Sequence, residues 1–420
     1  MDVMTLGEAR FPSPIHHTVD DRIRIPIDIA TVVGEPPKDA GSFELAGPRA
    51  RLFFDPKQTR AGIVTCGGLC PGLNNVIRSL YLELHHIYQA KEVLGFRNGY
   101  QGLDPDTGKP PIVLCDEFVE DIHKEGGTVL GTSRGPANVV KAVDNLIRLG
   151  IDILFTVGGD GTQRGANLLF QEARKRGHAL AVGGVPKTID NDVAYVSQSF
   201  GYLTAVEEAA EVIERAHTES HSVHNGVALV KLMGRDAGFV AAGATVASQD
   251  VNFTLIPEQP FKLEGEQGFL AALKRRLQKR AHAVIVVAEG AGQDLFPAGD
   301  EQRDASGNIK IKDIGVFLKE KIEAYFKAER IPMVLRYFDP SYFVRSSRAD
   351  SEDSILCDMF ARNAVHAAMA GKTGLVIGQI HDHFVHVPIE QLACTKKRLQ
   401  LNSSAWHAVL ASTGQPLAFT

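Results

Sequence analysis

The chain has 420 residues, 44% of them hydrophobic and 23% charged, and a formal net charge of -5. That length predicts two or three domains with a substantial core, and the composition is that of ordinary soluble globular proteins. The mildly acidic balance excludes a general basic field, so neither nucleic acid nor membrane is expected as a partner, and a phosphorylated ligand would need a local positive pocket.

The N-terminus "MDVMTLGEAR" lacks the basic start and apolar stretch of a signal peptide. Residues 1–50 are Pro-rich and aperiodic and read as an extended arm, not a domain. Alternation begins after them. "AGIVTC" (61–66) predicts a strand, followed by a Gly-rich loop and then "LNNVIRSLYLELHHI", in which Val76, Ile77, Leu80, Leu84 and Ile87 recur at helical spacing. "DILFTVGG" (152–159) predicts a second strand, opening through glycine into the helix "TQRGANLLFQEARKRG". "ALAVGGV" predicts a third strand, and "LTAVEEAAEVIERAH" (203–217) an amphipathic helix. "VALVKLM", "FTLIP", "AVIVVAE" and "PMVLRYF" predict further strands, mostly separated by helices. Strands that are apolar throughout and joined by helices predict α/β architecture with mainly parallel sheets covered on both faces. "AVIVVA" (283–288) is too short to span a bilayer. The five scattered cysteines (Cys66, Cys70, Cys115, Cys357, Cys394) suit reduced thiols in a cytoplasm. Cys66 and Cys70 lack a second Cys or His pair at metal spacing, which argues against zinc there.

Ligands of open α/β sheets bind beyond the carboxyl ends of the strands. "TCGGLCPGLN", "TVGGDGT", "PKTIDND", "KLMGRDAG" and "VVAEGAG" all follow strand candidates. At one such loop, glycines need mean no more than a tight turn. Five strand ends that also carry Asp, Arg, Lys or Glu need more, because charges at a buried edge require partners. Asp160, Asp190 and Asp192 are hard oxygen ligands or bases, suited to Mg2+, which takes one or two carboxylates plus substrate phosphates. Phosphoryl transfer needs that metal, a base for the acceptor hydroxyl and cations for phosphate oxygens. Arg134, Lys187, Arg235, Arg336 and Arg345 are candidate cations, although each Arg alone could be a surface ion pair.

Other motifs carry less. "GGDGTQRG" is not GxGxxG. "AGKTG" (370–374) has His366 where a phosphate-binding loop needs Gly, and reads as a helix C-terminus and turn. His217, His221 and His224 look like a metal cluster but read as a helix end and loop. "KRRLQKR" (274–280) reads as the solvated face of a helix.

"GGLCPGLN", "GGDGT", "PKTIDND", "MGRDAGF", "PEQPF" and "DPSYFVR", in this order and spacing, resemble the 6-phosphofructokinases, especially the long-chain branch with plant ATP-dependent and pyrophosphate-dependent enzymes. The resemblance covers roughly 48–394. It implies two Rossmann-like domains with the active site in the cleft between them, plus the N-terminal extension (1–50). Residues 51–201 with 344–394 would form the nucleotide domain, and 202–343 with 395–420 the fructose 6-phosphate domain. It further implies ATP as donor, Mg2+, and a homodimer or homotetramer. Asp190 would take the proton from the 1-hydroxyl of fructose 6-phosphate. Asp160 and Asp192 would hold Mg2+, and Thr188 would contact the transferred phosphoryl group. Gly68 would offer its N–H to the terminal phosphate, while Arg134 and Arg235 would neutralise transition-state charge. Gly159, Gly161, Thr162, Gly165 and Lys187 would belong to the nucleotide site. Met233, Gly234, Glu289, Arg336, Tyr342 and Arg345, with Thr188, Asp190, Asp192 and Arg235, would hold the sugar phosphate.

Two positions depart from the short bacterial members. Gly226 stands where they carry an arginine, and Tyr342 where they carry a histidine. The donor is read from Gly161 and Lys187, since the pyrophosphate enzymes carry Asp and Lys there. Gly with Lys points to ATP, with pyrophosphate as the alternative. NAD and lipid kinases share a GGDG turn but lack "PKTIDND" and "DPSYFVR". A non-catalytic sugar-phosphate sensor would not need all three aspartates.

Overall fold

The computed structural model describes residues 1–27, 41–135, 138–297, 302–303, 309–392 and 396–420. Cys394 lies outside the described residues. In chain order the first half contains β1 (Arg24–Pro26), β2 (Ser42–Leu45), β3 (Arg60–Thr65), α1 (Leu73–Leu82), β4 (Glu92–Gly95), β5 (Ile112–Val113), α2 (Val139–Leu149), β6 (Ile153–Gly158), α3 (Asp160–Lys175) and β7 (Ala181–Pro186). There follow α4 (Tyr202–His221), β8 (Gly226–Leu232), α5 (Phe239–Ser248), β9 (Phe253–Leu255), α6 (Phe269–Arg280), β10 (His282–Ala288), α7 (Ile314–Ala328), β11 (Val334–Phe338), α8 (Ser351–Met369), β12 (Leu375–Ile380), β13 (His383–Pro388) and α9 (Ser404–Thr413).

Two sheets organise the chain. The larger has nine strands in the order β1-β2-β13-β12-β7-β6-β3-β4-β5. Its centre, β12-β7-β6-β3-β4, is parallel, and antiparallel pairs extend it at both sides. The smaller sheet, β9-β10-β8-β11, is wholly parallel. Every residue of β6, β7 and β8 is buried. That burial on both faces is why these strands lack polar alternation. The seven strands expected from apolar runs are all present, within a few residues of the expected ends. The hairpin β12–β13 has no counterpart among those expectations.

Local chemistry places the elements that matter for the cleft. An ideal Cβ on Gly184, in the middle of β7, would lie 2.3 Å from Oε1 of Gln163. The bare backbone lets α3 settle onto the sheet, where the Gln163 amide donates to the carbonyl of Gly158 at 2.9 Å. Helix α8 starts at Asp350, whose carboxylate accepts from the N–H of Asp353 at 2.7 Å. It ends at Met369, with Gly371 in the left-handed region, as the "AGKTG" reading required.

The described part of the N-terminal extension is an arm along the large sheet. Met4–Thr5 pairs with Lys372–Thr373, and Phe11–Pro12 with Arg51–Leu52. A buried ion cluster fastens it. The Glu44 carboxylate accepts from Arg49 at 2.5 Å and pairs with Lys372 at 2.6 Å, all three side chains being under a tenth exposed. His386, fully buried, lies 3.7 Å from the same carboxylate. Removing Glu44's charge would leave two buried cations with only the exposed Asp21 carboxylate, 2.6 Å from Arg49 and 3.0 Å from Lys372, as a shared anion. Glu44→Gln is therefore expected to cost about 3–5 kcal/mol of stability, read as a lower denaturant midpoint with an unchanged slope. A loss within the ordinary surface range would show that the cluster does not anchor the arm.

Candidate active site

The segment after β7 is folded by its own side chains. The Thr188 hydroxyl donates to Oδ1 of Asp192 at 2.8 Å and accepts from the N–H of Asp190 at 3.1 Å. Between them Asn191 takes a left-handed backbone, φ 53°, and its side-chain oxygen accepts from the N–H of Ser199 at 3.0 Å. Ser199 in turn donates to the Thr188 carbonyl at 2.9 Å. One threonine hydroxyl thus sets the spacing of two aspartates. The backbone N–H of Arg235 favours the Asp190 charge, while Asp190 Oδ1 is buried without a hydrogen-bond partner. Burial, then the charges of Asp192 and Glu289, hold its carboxyl well above the usual carboxylate range. Burial also pushes up Asp192 and Glu289.

Opposite lies a set of cations around the first Gly-rich loop. Lys187 is buried and donates to the Gly68 carbonyl at 2.8 Å. An ideal Cβ on Gly67, at φ 86°, would lie 3.7 Å from the same ammonium. A Cβ on Gly68 would lie 3.6 Å from Nη2 of Arg134 and 3.7 Å from Nη1 of Arg345. Two guanidinium groups therefore converge over a bare backbone, a setting for phosphate oxygens. Arg345 also stacks over Tyr342, 4.6 Å from the ring centroid. Met233 and Gly234 follow β8, Gly234 has φ 128°, and Gly290 donates its N–H to the Gly234 carbonyl at 3.1 Å. That bond packs the loop after β8 against the loop bearing Glu289. Arg235 donates to the Ile309 carbonyl. Arg336 is exposed on the edge strand β11, opposite Ala228. It shares none of these contacts.

On the other wall, Gly159 caps α3 and Asp160 lies in its first turn, where the helix end favours negative charge. Burial, then Asp192, still pushes the Asp160 carboxyl up to about 6. Two neighbouring carboxylates, both raised by burial, suit a divalent cation completed by phosphate oxygens, so Asp160 and Asp192 fit Mg2+. A Cβ on Gly161 would meet only Arg164, at 3.8 Å, so that position opens to space. Gly165 is different: its Cβ would lie 2.5 Å from the Tyr100 ring. The Tyr100 hydroxyl donates to the Thr162 carbonyl at 2.6 Å, so Gly165 and Thr162 also serve packing.

Several residues of this region carried no role in the sequence reading. Lys396 pairs with Asp236 and its charge favours ionised Asp160 and Asp192. Lys397 is half-buried, donates to the carbonyls of Val196 and Ser197 at 2.8 and 2.7 Å, and is pulled down to about 7 by desolvation. Glu258, of "PEQPF", accepts from the N–H of Gly238 at 3.0 Å and of Leu399 at 2.8 Å. No spacing signal announces these, because their partners are remote in sequence. The rings of His217 and His221 meet His282 at 5.4 and 4.9 Å between centroids, while His224 is exposed beyond the helix end. Cys66, Cys70, Cys115 and Cys357 are free thiols. Among the described residues no helix is long and apolar enough to cross a membrane.

Paired carboxylates facing converged cations, at the carboxyl ends of parallel strands, are the equipment of a phosphotransferase. The comparisons with known proteins narrow the class. The Phosphofructokinase family model matches residues 60–368, and the chain belongs to that family. It is 49% identical to an ATP-dependent 6-phosphofructokinase of Borreliella burgdorferi, over 89% of this chain and 85% of the relative. It is 46% identical to ATP-dependent 6-phosphofructokinase 7 of Arabidopsis thaliana, over 89% and 77%. A Trypanosoma brucei brucei relative described as an ATP-dependent 6-phosphofructokinase is 48% identical, over 87% and 75%. The fold resembles a pyrophosphate-dependent phosphofructokinase structure from Marinobacter aquaeolei, with a TM-score of 0.70 at 20% identity, over 86% of this chain and 93% of that one. At that identity the likeness concerns the fold alone.

Thr188→Val would remove the donor to Asp192 and the acceptor for Asp190 together. The expected loss is about 1–3 kcal/mol of stability, measured by thermal or denaturant unfolding, with Thr188→Ser close to the parent. A loss in Thr188→Ser with none in Thr188→Val would mean that the methyl group, not the hydroxyl, matters.

Proposed function

We propose that this chain is an ATP-dependent 6-phosphofructokinase, transferring the terminal phosphoryl group of ATP to the 1-hydroxyl of fructose 6-phosphate in glycolysis, in the cytoplasm. The observation that carries the reading is Asp190: a buried carboxylate with one unpartnered oxygen, beside Asp192 and across from cations gathered at Gly68. The relatives described as ATP-dependent 6-phosphofructokinases support it. Residues 51–201 with 344–394 would serve the donor, and 202–343 with 395–420 the sugar phosphate. A homodimer or homotetramer is the expected assembly.

In the proposed mechanism Asp190 accepts the proton of the attacking hydroxyl through its free oxygen. Its raised carboxyl makes it a stronger base than an exposed aspartate. Lys187, Arg134 and the Gly68 N–H hold the donor phosphates, and Arg235 balances charge developing at transfer. Asp160 and Asp192 would hold Mg2+, which supplies charge neutralisation on the phosphate oxygens. Thr188, whose hydroxyl serves Asp192, positions both aspartates. Tyr342, Arg345, Glu289, Met233 and Gly234 would bind fructose 6-phosphate. Arg336 stands outside this group, and its part in sugar-phosphate binding rests on the resemblance alone.

Asp190→Asn is expected to lower turnover by about 10²–10⁴-fold with substrate binding nearly kept. In the parent, activity should fall as pH drops through the raised Asp190 value, because the base must be ionised. That acidic limb should vanish in the variant. Retention of more than about a third of parent turnover, against that typical general-base contribution, would remove Asp190 from the role of base.

The donor turns on Gly161. A carboxylate there would point into the open space beside α3, and two unit charges ~4 Å apart repel by about 4 kcal/mol at an effective dielectric of 20. Gly161→Asp is expected to depress turnover with ATP far more than any with pyrophosphate, in a coupled assay at saturating fructose 6-phosphate and Mg2+. Greater parent activity with pyrophosphate than with ATP would overturn the donor assignment and favour the alternative.

A further inference from the structure

Helix α1 does not end as an α-helix. Residues Glu83–Ile87 form a π turn, which is wider than an α turn and lessens the angle between neighbouring side chains. His85 and His86 follow each other on this turn, and both are exposed. Their ring centroids are 5.0 Å apart. The short helix Asp116–Val119 faces them, and Oδ1 of Asp116 lies 3.1 Å from Nε2 of His86. One ligand atom from each of His85, His86 and Asp116 falls within 4.8 Å of the other two. Among the described residues no other group of His, Cys, Asp or Glu does this.

The three side chains are also braced. The His85 ring stacks on Tyr81, 5.1 Å between centroids and 12° between planes. Tyr81 is buried, and the Asp116 charge lies near enough to its hydroxyl to help hold the phenol up, after burial. One buried tyrosine therefore braces a histidine by its face, with the aspartate beside its hydroxyl. This outer bracing is what metal ligands ordinarily require.

We propose that His85, His86 and Asp116 form a surface binding site for one Zn2+ ion, distinct from the Mg2+ site of the cleft. Two imidazole nitrogens and one carboxylate oxygen suit zinc and its first-row neighbours and disfavour Mg2+, which prefers oxygen ligands and keeps its water. Water completes the tetrahedron, since all three ligands are exposed. The ion would tie α1 to the stretch that leads to Arg134. Those two stretches are already joined by Asn74, whose amide donates to the Glu125 carbonyl at 3.1 Å and whose oxygen accepts from Val129 at 2.8 Å. Helix α1 begins just after the Gly67–Gly68 loop, so both tied stretches reach the donor cradle.

The test titrates the whole protein with Zn2+, and with Co2+ for its visible absorption, in excess Mg2+ to fill the oxygen site of the cleft. One equivalent of Co2+ with tetrahedral absorption is expected, displaced by Zn2+, together with a rise in unfolding temperature. His86→Ala and Asp116→Asn should each weaken Zn2+ by tenfold or more while leaving turnover with Mg2+ and ATP intact. Cys115→Ser should leave binding unchanged. His217→Ala with His221→Ala should do the same. Absence of stoichiometric Zn2+ binding would overturn the proposal. So would binding that survives the double change His85→Ala and His86→Ala, or binding lost with Cys115 or with the His217 and His221 pair.

Discussion

Confinement of negative charge is the constraint on which the rest of the site depends. Asp160, Asp190 and Asp192 sit at the ends of neighbouring elements, and Asp192 raises the carboxyls of both others. Left alone, such a group would take up protons or repel itself apart. The surrounding structure bears the charge without cancelling it. The Thr188 hydroxyl, the Arg235 N–H and the first turn of α3 each offset part of it. One oxygen of Asp190 is left unserved. That incomplete compensation is what makes the cleft reactive, since a fully satisfied carboxylate has nothing left to accept.

The fold makes this confinement possible by parallel pairing. β6 and β7 are paired in register along their whole lengths, so their carboxyl ends arrive together. Asp160 and the Thr188–Asp192 segment are thereby brought side by side. The smaller sheet does the same for the loops after β8 and β10, which carry Arg235 and Glu289. Residues 396–399 then bind across both sets of loops. Lys397 donates its N–H to the Asp192 carbonyl, and Leu399 donates to Glu258, which also caps α5. A half-buried lysine pulled down by its surroundings and an acid shared between two elements are signs of a segment that locks loop geometry, remote from the motifs in sequence.

The arm shows the same economy at the opposite edge. Glu44, Arg49, Lys372 and His386 are buried together, and the charges are tolerable only because each is paired. Antiparallel strands of the arm close the edge beyond β13, which would otherwise offer unpaired backbone groups to other chains.

What the sequence determined by itself was local and periodic. Apolar runs such as 153–158 and 283–288 could only be strands buried on both faces, and the glycine and acid after each marked the ligand edge of a sheet. The motifs around Gly68, Asp160, Asp190, Arg235 and Arg345 therefore pointed to phosphoryl transfer. The tertiary structure alone decided which of these residues meet. It joined Gly68 to Arg134 and Arg345, assigned Gly165 to the Tyr100 ring, left Arg336 on an edge strand, and recruited Lys396, Lys397 and Glu258. The physical reason is range. Hydrogen-bonded turns and helical or strand periodicity act over a few residues and are written in the chain. Electrostatic and packing partners lie wherever strand order puts them, and strand order depends on the burial of the whole sheet.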